Sequence, residues 1–291
     1  MRILIADDDP ISRRLLESAL TKMGHQVVAV DNGLSAIEGL LAPGAPVLAI
    51  LDWMMPGADG LDVCQEVRAK SAQYVYVILL TAKDRHEDML VALDAGADDF
   101  LTKPFDTAEL KVRLRSGTRV LELMALLEHQ ATHDDLTSLS NRRMILEVLG
   151  TELDRASHEA RPLAVVVADI DHFKRINDTH GHQTGDVVLQ VAAQRIRSVL
   201  RSYDSVGRLG GEEFLLVLPG CGGTEAREIA ERARQAIADV PIPMAFGDVR
   251  TSLSLGLAWT PDGRVAASVL IESADEALYQ AKAAGRNRVG P

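Results

Sequence analysis

The chain is poor in cysteine and in long apolar runs, and both absences exclude classes of protein. Its 291 residues include two cysteines, Cys64 and Cys221, which lie far apart and outside any metal-type spacing such as C-x-x-C. Two reduced thiols of this kind are typical of a cytoplasmic chain. No apolar run approaches the roughly 20 residues that a membrane span requires, and residues 1–6 lack a signal-peptide pattern. We therefore expect a cytoplasmic protein with no membrane partner.

A basic segment is also missing from the chain. The formal net charge is −11, and no run of lysine and arginine interrupts the acidic balance. Proteins that hold nucleic acid usually present a basic patch, because phosphate contacts supply most of their affinity. The composition therefore predicts no nucleic-acid partner, while the length suggests two domains.

The first 105 residues alternate short apolar runs with amphipathic stretches. This alternation predicts an α/β domain, a parallel and doubly wound (βα)5 sheet. Ligands of such sheets bind outside the carboxyl ends of the strands, so the polar residues that follow each run are candidates for a site. The apolar runs occupy residues 3–6, 27–30, 47–51, 74–80 and 99–101.

Residues 106–133 have the pattern of one long helix between the two domains, with Gly117 as its one weak position. Apolar residues recur at three- and four-residue steps, and a period near 3.5 residues is typical of a coiled-coil seam. The pattern therefore favours a homodimer, although a helix that packs on one of the two domains would give a similar pattern. The recurring residues are Leu110, Leu114, Leu121, Met124 and Leu127.

Residues 134–291 are expected to form the second domain. Their predicted order is β-α-β-β-α-β, which is typical of a ferredoxin-like α+β palm. Gly210 and Gly211 are expected to form a hairpin turn where a positive φ is required. Strands are predicted at 163–168, 206–209, 214–218 and 250–259, and helices at 186–200, 224–237 and 274–284.

Polar side chains gather at the predicted strand ends of the first domain. Crowded carboxylates raise one another's pKa unless a cation is present, and magnesium with oxygen ligands meets that need. One carboxylate can then attack phosphorus as a nucleophile, while a lysine and a hydroxyl hold the phosphoryl oxygens. A single aspartate here can instead be a helix N-cap, and Asp9-Pro10 has that pattern. The residues at the strand ends are Asp7, Asp8, Asp52, Thr81 and Lys103.

This constellation resembles the receiver domain of response regulators over residues 1–105. The segments 52–57 and 103–105 match the loops of that family, and Phe100 corresponds to its switch aromatic. The resemblance implies that a sensor histidine kinase phosphorylates Asp52. The residues implied to surround Asp52 in the phosphorylation site are Asp7, Thr81 and Lys103. The implied ligands of a magnesium or manganese ion are Asp8, Asp52 and the carbonyl of Met54.

A second set of polar residues lies in the predicted palm. Asp169 ends a buried strand and Glu212 lies at the glycine hairpin, so a palm can place the two carboxylates side by side for magnesium-assisted phosphoryl transfer. The N–H groups of residues 171–174 can cradle phosphates, and a carboxylate can accept both N–H donors of guanine's edge. A Gly-Gly pair alone is usually a turn, and an isolated H-x-H such as His180 and His182 is more often surface polarity than a zinc site. The remaining candidates are Lys282 and Arg286 for phosphate, and Asn177 and Asp186 for a base.

These segments resemble the GGDEF family of diguanylate cyclases over residues 134–289, with the signature Gly210-Gly211-Glu212-Glu213-Phe214. Blocks 169–178, 181–186 and 274–288 also match, whereas the opening motif 136–143 has Ser138 where glycine is usual. The resemblance implies that two facing domains join two GTP molecules into cyclic di-GMP. The implied catalytic residues are Asp169, Lys174 and Glu212. The implied metal ligands are Asp169, Glu212 and the carbonyl of Ile170. The implied substrate-binding residues are Phe173, Asn177, Asp186, Lys282 and Arg286.

Arg201 and Asp204 form an R-x-x-D motif at the spacing of the family's inhibitory site. Arginine can stack on guanine and bond its edge, while aspartate accepts its N–H groups. The resemblance implies product inhibition, with Arg232 and Arg155 completing the site from a second surface. A bare R-x-x-D is otherwise a surface ion pair.

Three other functions remain to be weighed against the regulated cyclase. A catalytically weak sensor of GTP or cyclic di-GMP would have lost the metal carboxylates, and Asp169 and Glu212 are present. A transcription regulator would need a helix-turn-helix and a basic face, which the second domain lacks. Asn177 and Asp186 suit guanine, so they argue against a different nucleotidyl cyclase.

Overall fold

The computed structural model describes residues 1–82 and 93–291. The chain divides into two compact units, Met1–Leu127 and Glu128–Pro291. Each unit has its own buried apolar clusters, as independent domains do. The boundary between the units falls within one long helix, which spans Thr107–Thr132.

The first unit contains a five-stranded parallel sheet in the order β2-β1-β3-β4-β5. Every residue of β3 and β4 is buried, as expected for central strands covered on both faces. The order reverses at β1 and β3, and a crevice at their carboxyl ends follows from that reversal. The predicted doubly wound sheet is confirmed. The strands are β1 (Arg2–Ala6), β2 (Gln26–Val30), β3 (Leu48–Asp52), β4 (Tyr76–Thr81) and β5 (Asp99–Thr102).

Side-chain caps fix where the helices of this unit begin. Asp9 accepts hydrogen bonds from the N–H groups of Ile11 and Ser12, so it is an N-cap, as its Asp-Pro pattern indicated. Asp59 forms a reciprocal capping box with Asp62. The helix that the alternation predicts between β4 and β5 falls largely outside the described residues. The described helices are α1 (Pro10–Lys22), α2 (Gly33–Leu41), α3 (Gly60–Lys70) and α4 (Thr107–Thr132).

The long helix α4 has two different halves. Leu110 and Leu114 are buried against the sheet. Gly117 is also buried, and a Cβ there would lie 2.7 Å from the ring of Tyr76, so this glycine permits close packing. Val120 and Leu121 are half-buried against the same cluster, and the apolar side chains from Leu123 onward are exposed. Their exposed fractions are 51% for Leu123, 39% for Met124, 53% for Leu126 and 65% for Leu127.

The second unit contains a four-stranded antiparallel sheet in the order β7-β8-β6-β9. This order and its β-α-β-β-α-β succession confirm the ferredoxin-like palm. Alternate residues of β6 face opposite sides, so α7 and α8 pack on one face, and α5 and α9 on the other. The elements are α5 (Arg142–Glu159), β6 (Leu163–Ile170), α6 (Phe173–His180), α7 (His182–Ser198), β7 (Ser205–Gly210), β8 (Glu213–Pro219), α8 (Gly223–Ala238), β9 (Leu253–Thr260) and α9 (Ala267–Ala283).

Some element boundaries differ from the predictions. Helix α7 begins at His182 rather than at residue 186, because Gly181, with a φ of 83°, ends α6 and starts α7. Helix α9 begins at Ala267 rather than at 274, and its N-cap Ala266 offers no side-chain hydrogen bond that would mark the start. The hairpin turn agrees with the prediction, with φ values of 148° at Gly210 and 54° at Gly211.

Among the described residues, no helix combines the length and the apolar character needed to cross a membrane.

Candidate functional sites

The carboxyl ends of β1 and β3 bring three aspartates together. Oxygen atoms of Asp7, Asp8 and Asp52 lie within 4.8 Å of one another. Asp7 is fully buried, Asp52 is nearly so, and Asp8 is exposed. Carboxylate oxygens in this arrangement fit a magnesium ion, which prefers such ligands. The acidic cluster predicted from the strand ends therefore exists in the structure.

Lys103 closes the cluster from the end of β5. Its Nζ lies 2.8 Å from Oδ2 of Asp7 and 3.0 Å from Oδ2 of Asp52. Burial raises the pKa of Asp52, and the charges of Asp7 and Asp8 add to this, while Lys103 opposes it. Burial alone would lower the pKa of Lys103, but its hydrogen bonds to Asp7 and Asp52 outweigh burial and raise it. The ammonium therefore partly neutralises the aspartates.

The other residues predicted for this site differ in how deeply they are buried. Thr81 is buried at the end of β4, where its carbonyl accepts a hydrogen bond of 2.7 Å from the N–H of Lys103. Met54 is exposed in the loop after β3. Phe100 lies on β5 with the guanidinium of Arg113 5.5 Å from its ring centre. These positions keep Thr81 in the buried crevice and Met54 at its rim.

The sequence did not reveal two residues that orient Asp7. The hydroxyl of Ser12 donates to Oδ2 of Asp7 at 2.6 Å, and Arg13 donates to the carbonyl of Asp7. Both lie on the first turn of α1, so the helix that Asp9 caps also fixes the buried aspartate. Their positions after Asp9-Pro10 are the one signal that could have located them.

In the second unit, Asp169 and Lys282 form an ion pair at the edge of the palm. Their Oδ2 and Nζ atoms are 2.8 Å apart, with side-chain exposures of 10% and 31%. Burial raises the pKa of Asp169, and the charges of Glu212 and Asp171 add to this, while Lys282 opposes it. The charge of Glu212 thus acts on Asp169 in the direction expected for neighbouring carboxylates.

The hairpin that carries Glu212 is held from both sides. The carbonyl of Glu212 accepts a hydrogen bond of 3.3 Å from the N–H of Ile170. The carbonyl of Gly211 accepts bonds from Nε and Nη2 of Arg208, at 2.9 and 2.7 Å. Nη1 of Arg208 lies 3.1 Å from each carboxylate oxygen of Asp134. Asp134 and Arg208 were not among the predicted site residues, yet they fix the signature loop.

Glu213 is a further carboxylate that the predictions missed. It is the register partner of Asp169 across β6 and β8. Burial raises the pKa of Glu213, and the charge of Asp169 adds to this. Its place as the second glutamate of the glycine-hairpin signature is the sequence feature that could have identified Glu213.

The amide of Asn177 lies between α6 and α7 with a buried Oδ1 atom that lacks a hydrogen-bond partner among the described residues. A Cβ on Gly185 would lie 1.9 Å from that oxygen, so glycine is required for the amide to occupy this place. The neighbouring Asp186 is exposed on α7, one turn after the helix begins. A buried polar atom without a partner costs free energy, so this site suits a ligand with an N–H donor.

Three candidate phosphate contacts lie on separate segments of the second unit. Lys174 is exposed in the first turn of α6. That helix begins at Phe173 after His172, which has a φ of 57° and no side-chain cap, so its first N–H groups lack a capping acceptor. Arg286 is exposed in the turn that follows α9, and Lys282 pairs with Asp169 as described.

The R-x-x-D motif borders a cavity of about 400 Å³ that is lined by Arg201, Arg155 and Tyr203, among other residues. Asp204 is buried and accepts the N–H of Arg201 at 2.9 Å, while its Oδ1 lacks a partner among the described residues. Arg232 donates to the carbonyl of Val199 at 3.2 Å and does not line this cavity. The structure thus brings Arg155, but not Arg232, to Arg201 within one chain.

Comparisons with known proteins match both units. Residues 131–288 match the family described as diguanylate cyclase, GGDEF domain, and residues 3–115 match the response regulator receiver domain. The response regulator PleD of Caulobacter vibrioides is 32% identical over 299 aligned positions, covering 99% of this chain and 65% of PleD. The diguanylate cyclase DosC of Escherichia coli is 42% identical over 199 positions, covering 65% of this chain and 43% of DosC.

A solved structure supports the same relationship. The coiled coil and GGDEF domain of DgcB from Caulobacter crescentus, in complex with c-di-GMP, gives a TM-score of 0.57 at 31% identity. It covers 63% of this chain and 97% of that one. The chain spans about two thirds of the length of PleD and less than half of DosC. This chain belongs to the GGDEF family and carries a response regulator receiver domain ahead of its GGDEF domain.

Proposed function

We propose that this protein is a diguanylate cyclase, which joins two GTP molecules into cyclic di-GMP and releases two pyrophosphates. The observation that carries the proposal is the ion pair of Asp169 and Lys282 beside the Glu212 hairpin, where the carbonyl of Glu212 accepts the N–H of Ile170. Two carboxylates beside an ammonium suit the binding of a triphosphate with its metal ion. Relatives named for this activity and the cyclic di-GMP in the DgcB structure support the proposal.

Guanine binding is assigned to Asn177 and Asp186. The unpartnered Oδ1 of Asn177 is an acceptor, and the carboxylate of Asp186 can accept the two N–H donors of the guanine N1/N2 edge. Adenine offers no matching pair of donors there, so these two residues favour GTP over ATP.

Phosphate binding is assigned to three cations and to the first N–H groups of α6, beginning at Phe173. Lys282 is already beside Asp169, while Lys174 and Arg286 are exposed and available to oxygen atoms of a triphosphate. Asp169, Glu212 and the carbonyl of Ile170 would hold magnesium or manganese, which when bound offsets the negative charge of the phosphates.

The reaction requires two GGDEF domains that face each other, because each domain holds one GTP. The 3′-hydroxyl of one GTP attacks the α-phosphorus of the other, pyrophosphate leaves, and the exchange is repeated. We assign the homodimer to the exposed apolar residues in the second half of α4, from Leu123 to Leu127, which suit a coiled-coil seam.

The receiver, which we place at residues 1–105, is proposed to control this assembly. Phosphorylation of Asp52 by a sensor histidine kinase would convert its carboxylate into an acyl phosphate, with Asp8, Asp52 and the carbonyl of Met54 as the ligands of a divalent cation. Lys103 lies 3.0 Å from Asp52 and is placed to hold a phosphoryl oxygen together with Thr81. The linker at 106–133 then transmits the change to the cyclase domain at 134–291.

Product inhibition is proposed at the cavity beside Arg201. Three guanidiniums, of Arg155, Arg161 and Arg201, line this space with two carboxylates, of Glu152 and Glu159, which pair with Arg155. The surplus positive charge suits the phosphates of cyclic di-GMP. Asp204 would supply its Oδ1, which has no partner in the part of the chain that the structure describes, and Arg232 would contribute from another domain. Arg201→Ala should therefore raise the product concentration needed to halve the rate.

The experiment that tests the cyclase incubates the full chain, stripped of bound nucleotide, with GTP and magnesium and separates the products by chromatography. We expect cyclic di-GMP and pyrophosphate in a one-to-two ratio. Glu212→Ala should remove both products, whereas Glu228→Ala, an exposed change on α8, should not. Absence of product from the unaltered chain, with cyclic di-GMP still bound tightly, would instead support the weak-catalysis sensor.

A further inference from the structure

Asp171 is a buried carboxylate that the proposed reaction does not use. It is 4% exposed and follows the last residue of β6. It lies two residues after Asp169, which pairs with Lys282. A buried carboxylate is costly unless hydrogen bonds satisfy it, so its partners indicate what it stabilises.

Three donors satisfy the carboxylate of Asp171. The hydroxyl of Ser254 donates to Oδ1 at 2.7 Å, and the hydroxyl of Ser252 donates to Oδ2 at 2.6 Å. The third donor is the backbone N–H of Asn287, which is 3.1 Å from Oδ2. The two serines lie at the start of β9 or just before it, whereas Asn287 belongs to the C-terminal segment. Asp171 therefore ties the segment after α9 to the edge of the palm.

The segment that Asp171 holds has an unfavourable backbone. The φ angles are 61° at Arg286 and 47° at Asn287. Two consecutive left-handed residues with side chains require support from their surroundings. The N–H of Arg286 donates to the carbonyl of Ala281 at 3.1 Å, and Arg234 donates to Oδ1 of Asn287 at 2.7 Å. Nε of Arg288 also donates to the carbonyl of Arg286 at 3.1 Å, while Asp171 accepts the backbone N–H of Asn287.

Asp169, in β6, and Asp171, just after it, thus contact one segment at two points. Asp169 contacts the side chain of Lys282, and Asp171 contacts the backbone at Asn287. Arg286 lies between these two points along the chain. Its backbone direction is consequently set by the bond that Asp171 makes one residue later.

We propose that Asp171 is a positioning residue, whose hydrogen bond to the Asn287 N–H holds the left-handed turn that directs Arg286 toward the phosphates of the nucleotide. The identity of the ligand rests on the proposed function, but the hold of Asp171 on the turn does not. Asp171→Asn keeps the shape of the side chain while replacing one acceptor oxygen with an NH2 group among three donors. The turn then loses the bond to the Asn287 N–H, which fixes its backbone next to Arg286, and the direction of Arg286 is no longer set.

A double-mutant cycle tests this coupling through nucleotide affinity. The probe is 3′-deoxy-GTP with magnesium, which lacks the attacking hydroxyl and cannot be joined, and its affinity is measured by calorimetry on the full chain. Arg286→Ala and Asp171→Asn should each weaken binding by about tenfold. The double variant should be no weaker than Arg286→Ala alone, because Asp171 acts through Arg286. Independent losses that multiply to about a hundredfold would overturn the proposal.

Ser254→Ala is the matched control. It removes a donor from Oδ1 of Asp171 and leaves the bond between Oδ2 and Asn287 in place. Its affinity for the probe should stay within about twofold of the unaltered chain, well inside the tenfold that the turn is expected to contribute. An equal loss in this variant would show a general structural role for the network and contradict positioning.

Hydrogen exchange tests the turn without any nucleotide. In the unaltered chain, the amide of Asn287 should exchange slowly although this residue is exposed. Exchange there should become faster in Asp171→Asn or, if that variant does not fold, in Asp171→Glu, which displaces the carboxylate. Fast exchange in the unaltered chain, or no change in the folded variant, would overturn the proposal. Failure of the probe to bind the unaltered chain with this protection intact would count against the nucleotide site instead.

Discussion

The ammonium of Lys282 lies 2.8 Å from Oδ2 of Asp169, so a residue proposed to bind phosphate is paired with a residue proposed to bind metal. Asp169 is the more buried partner, with 10% of its side chain exposed. The lysine therefore neutralises a carboxylate that burial would otherwise penalise. A cation bound at Asp169 would do the same, which would leave Lys282 available to the nucleotide.

The stability of a Lys282 variant should therefore depend on magnesium. Without divalent cations, Lys282→Ala leaves the Asp169 carboxylate unpaired and should lower the free energy of unfolding by about 1 to 3 kcal/mol. Saturating magnesium should reduce that difference, because the cation takes over the neutralisation. Urea unfolding in EDTA and in magnesium measures both values. Lys174→Ala, which changes an exposed lysine of α6, is the control and should have little effect in either condition. If Lys282→Ala lowered the free energy of unfolding equally in EDTA and in magnesium, the cation would not be replacing the lysine at Asp169.

Gly185 should be required for guanine binding. An added Cβ would lie 1.9 Å from Oδ1 of Asn177 and displace the amide. We expect Gly185→Ala to weaken GTP binding by about tenfold, the value of one lost hydrogen bond to a buried partner. Calorimetry with 3′-deoxy-GTP gives the affinity. Gly150→Ala on α5 is the control, since no described atom lies within 4 Å of its added Cβ. Unchanged affinity for the probe in Gly185→Ala would rule out the role given to Asn177.

The pair of Asp134 and Arg208 should make stability depend on pH. Although burial opposes it, hydrogen bonds from Thr137 and Arg208 lower the pKa of Asp134 below its ordinary value. A carboxyl with a lowered folded-state pKa stabilises the fold above its unfolded-state pKa, and the contribution is lost as pH falls through the folded-state value. Asp134→Asn should thus cost about 1 to 2 kcal/mol between pH 5 and 7.

That cost should shrink below about pH 4, where the carboxyl of the unfolded chain begins to take up a proton while the folded one is still ionised. Chemical unfolding at several pH values provides the comparison. Asp135→Asn, at the exposed neighbouring position, should show no such trend. A difference that grows toward acid pH would reverse the sign that the hydrogen bonds require.

The sequence predicted the site residues at the ends of strands, but it did not predict the loop contacts that hold those residues in place. Asp52 and Asp169 could be located because each directly follows a continuous apolar run that predicts a buried strand. Asp134 and Arg208 could not be paired, because 74 residues separate them and only the folded hairpin brings them together. The start of α9 was missed for a local reason, since Ala266 is not a capping residue.

The departure at Ser138 was visible in the sequence, and the structure supplies its physical meaning. Ser138 has a φ of 56°, in the region that favours glycine. Ser138→Gly should raise the free energy of unfolding by about 0.5 to 1 kcal/mol, because relief of the strained backbone exceeds the added freedom of the unfolded chain. Ser157→Gly, in the last turn of α5, should instead lower it by about 0.5 kcal/mol. Thermal unfolding compares the two, and a loss of stability in Ser138→Gly would contradict the strain.

We propose that the state of Asp52 controls cyclic di-GMP synthesis in the same chain. The initial rate of cyclic di-GMP formation tests this, measured with and without beryllofluoride for the unaltered protein and for Asp52→Asn at dilute concentration. We expect beryllofluoride to raise the rate of the unaltered protein alone, and the rate to rise more steeply than linearly with protein concentration. Equal rates with and without beryllofluoride, or the same increase in Asp52→Asn, would contradict control of the cyclase through this aspartate.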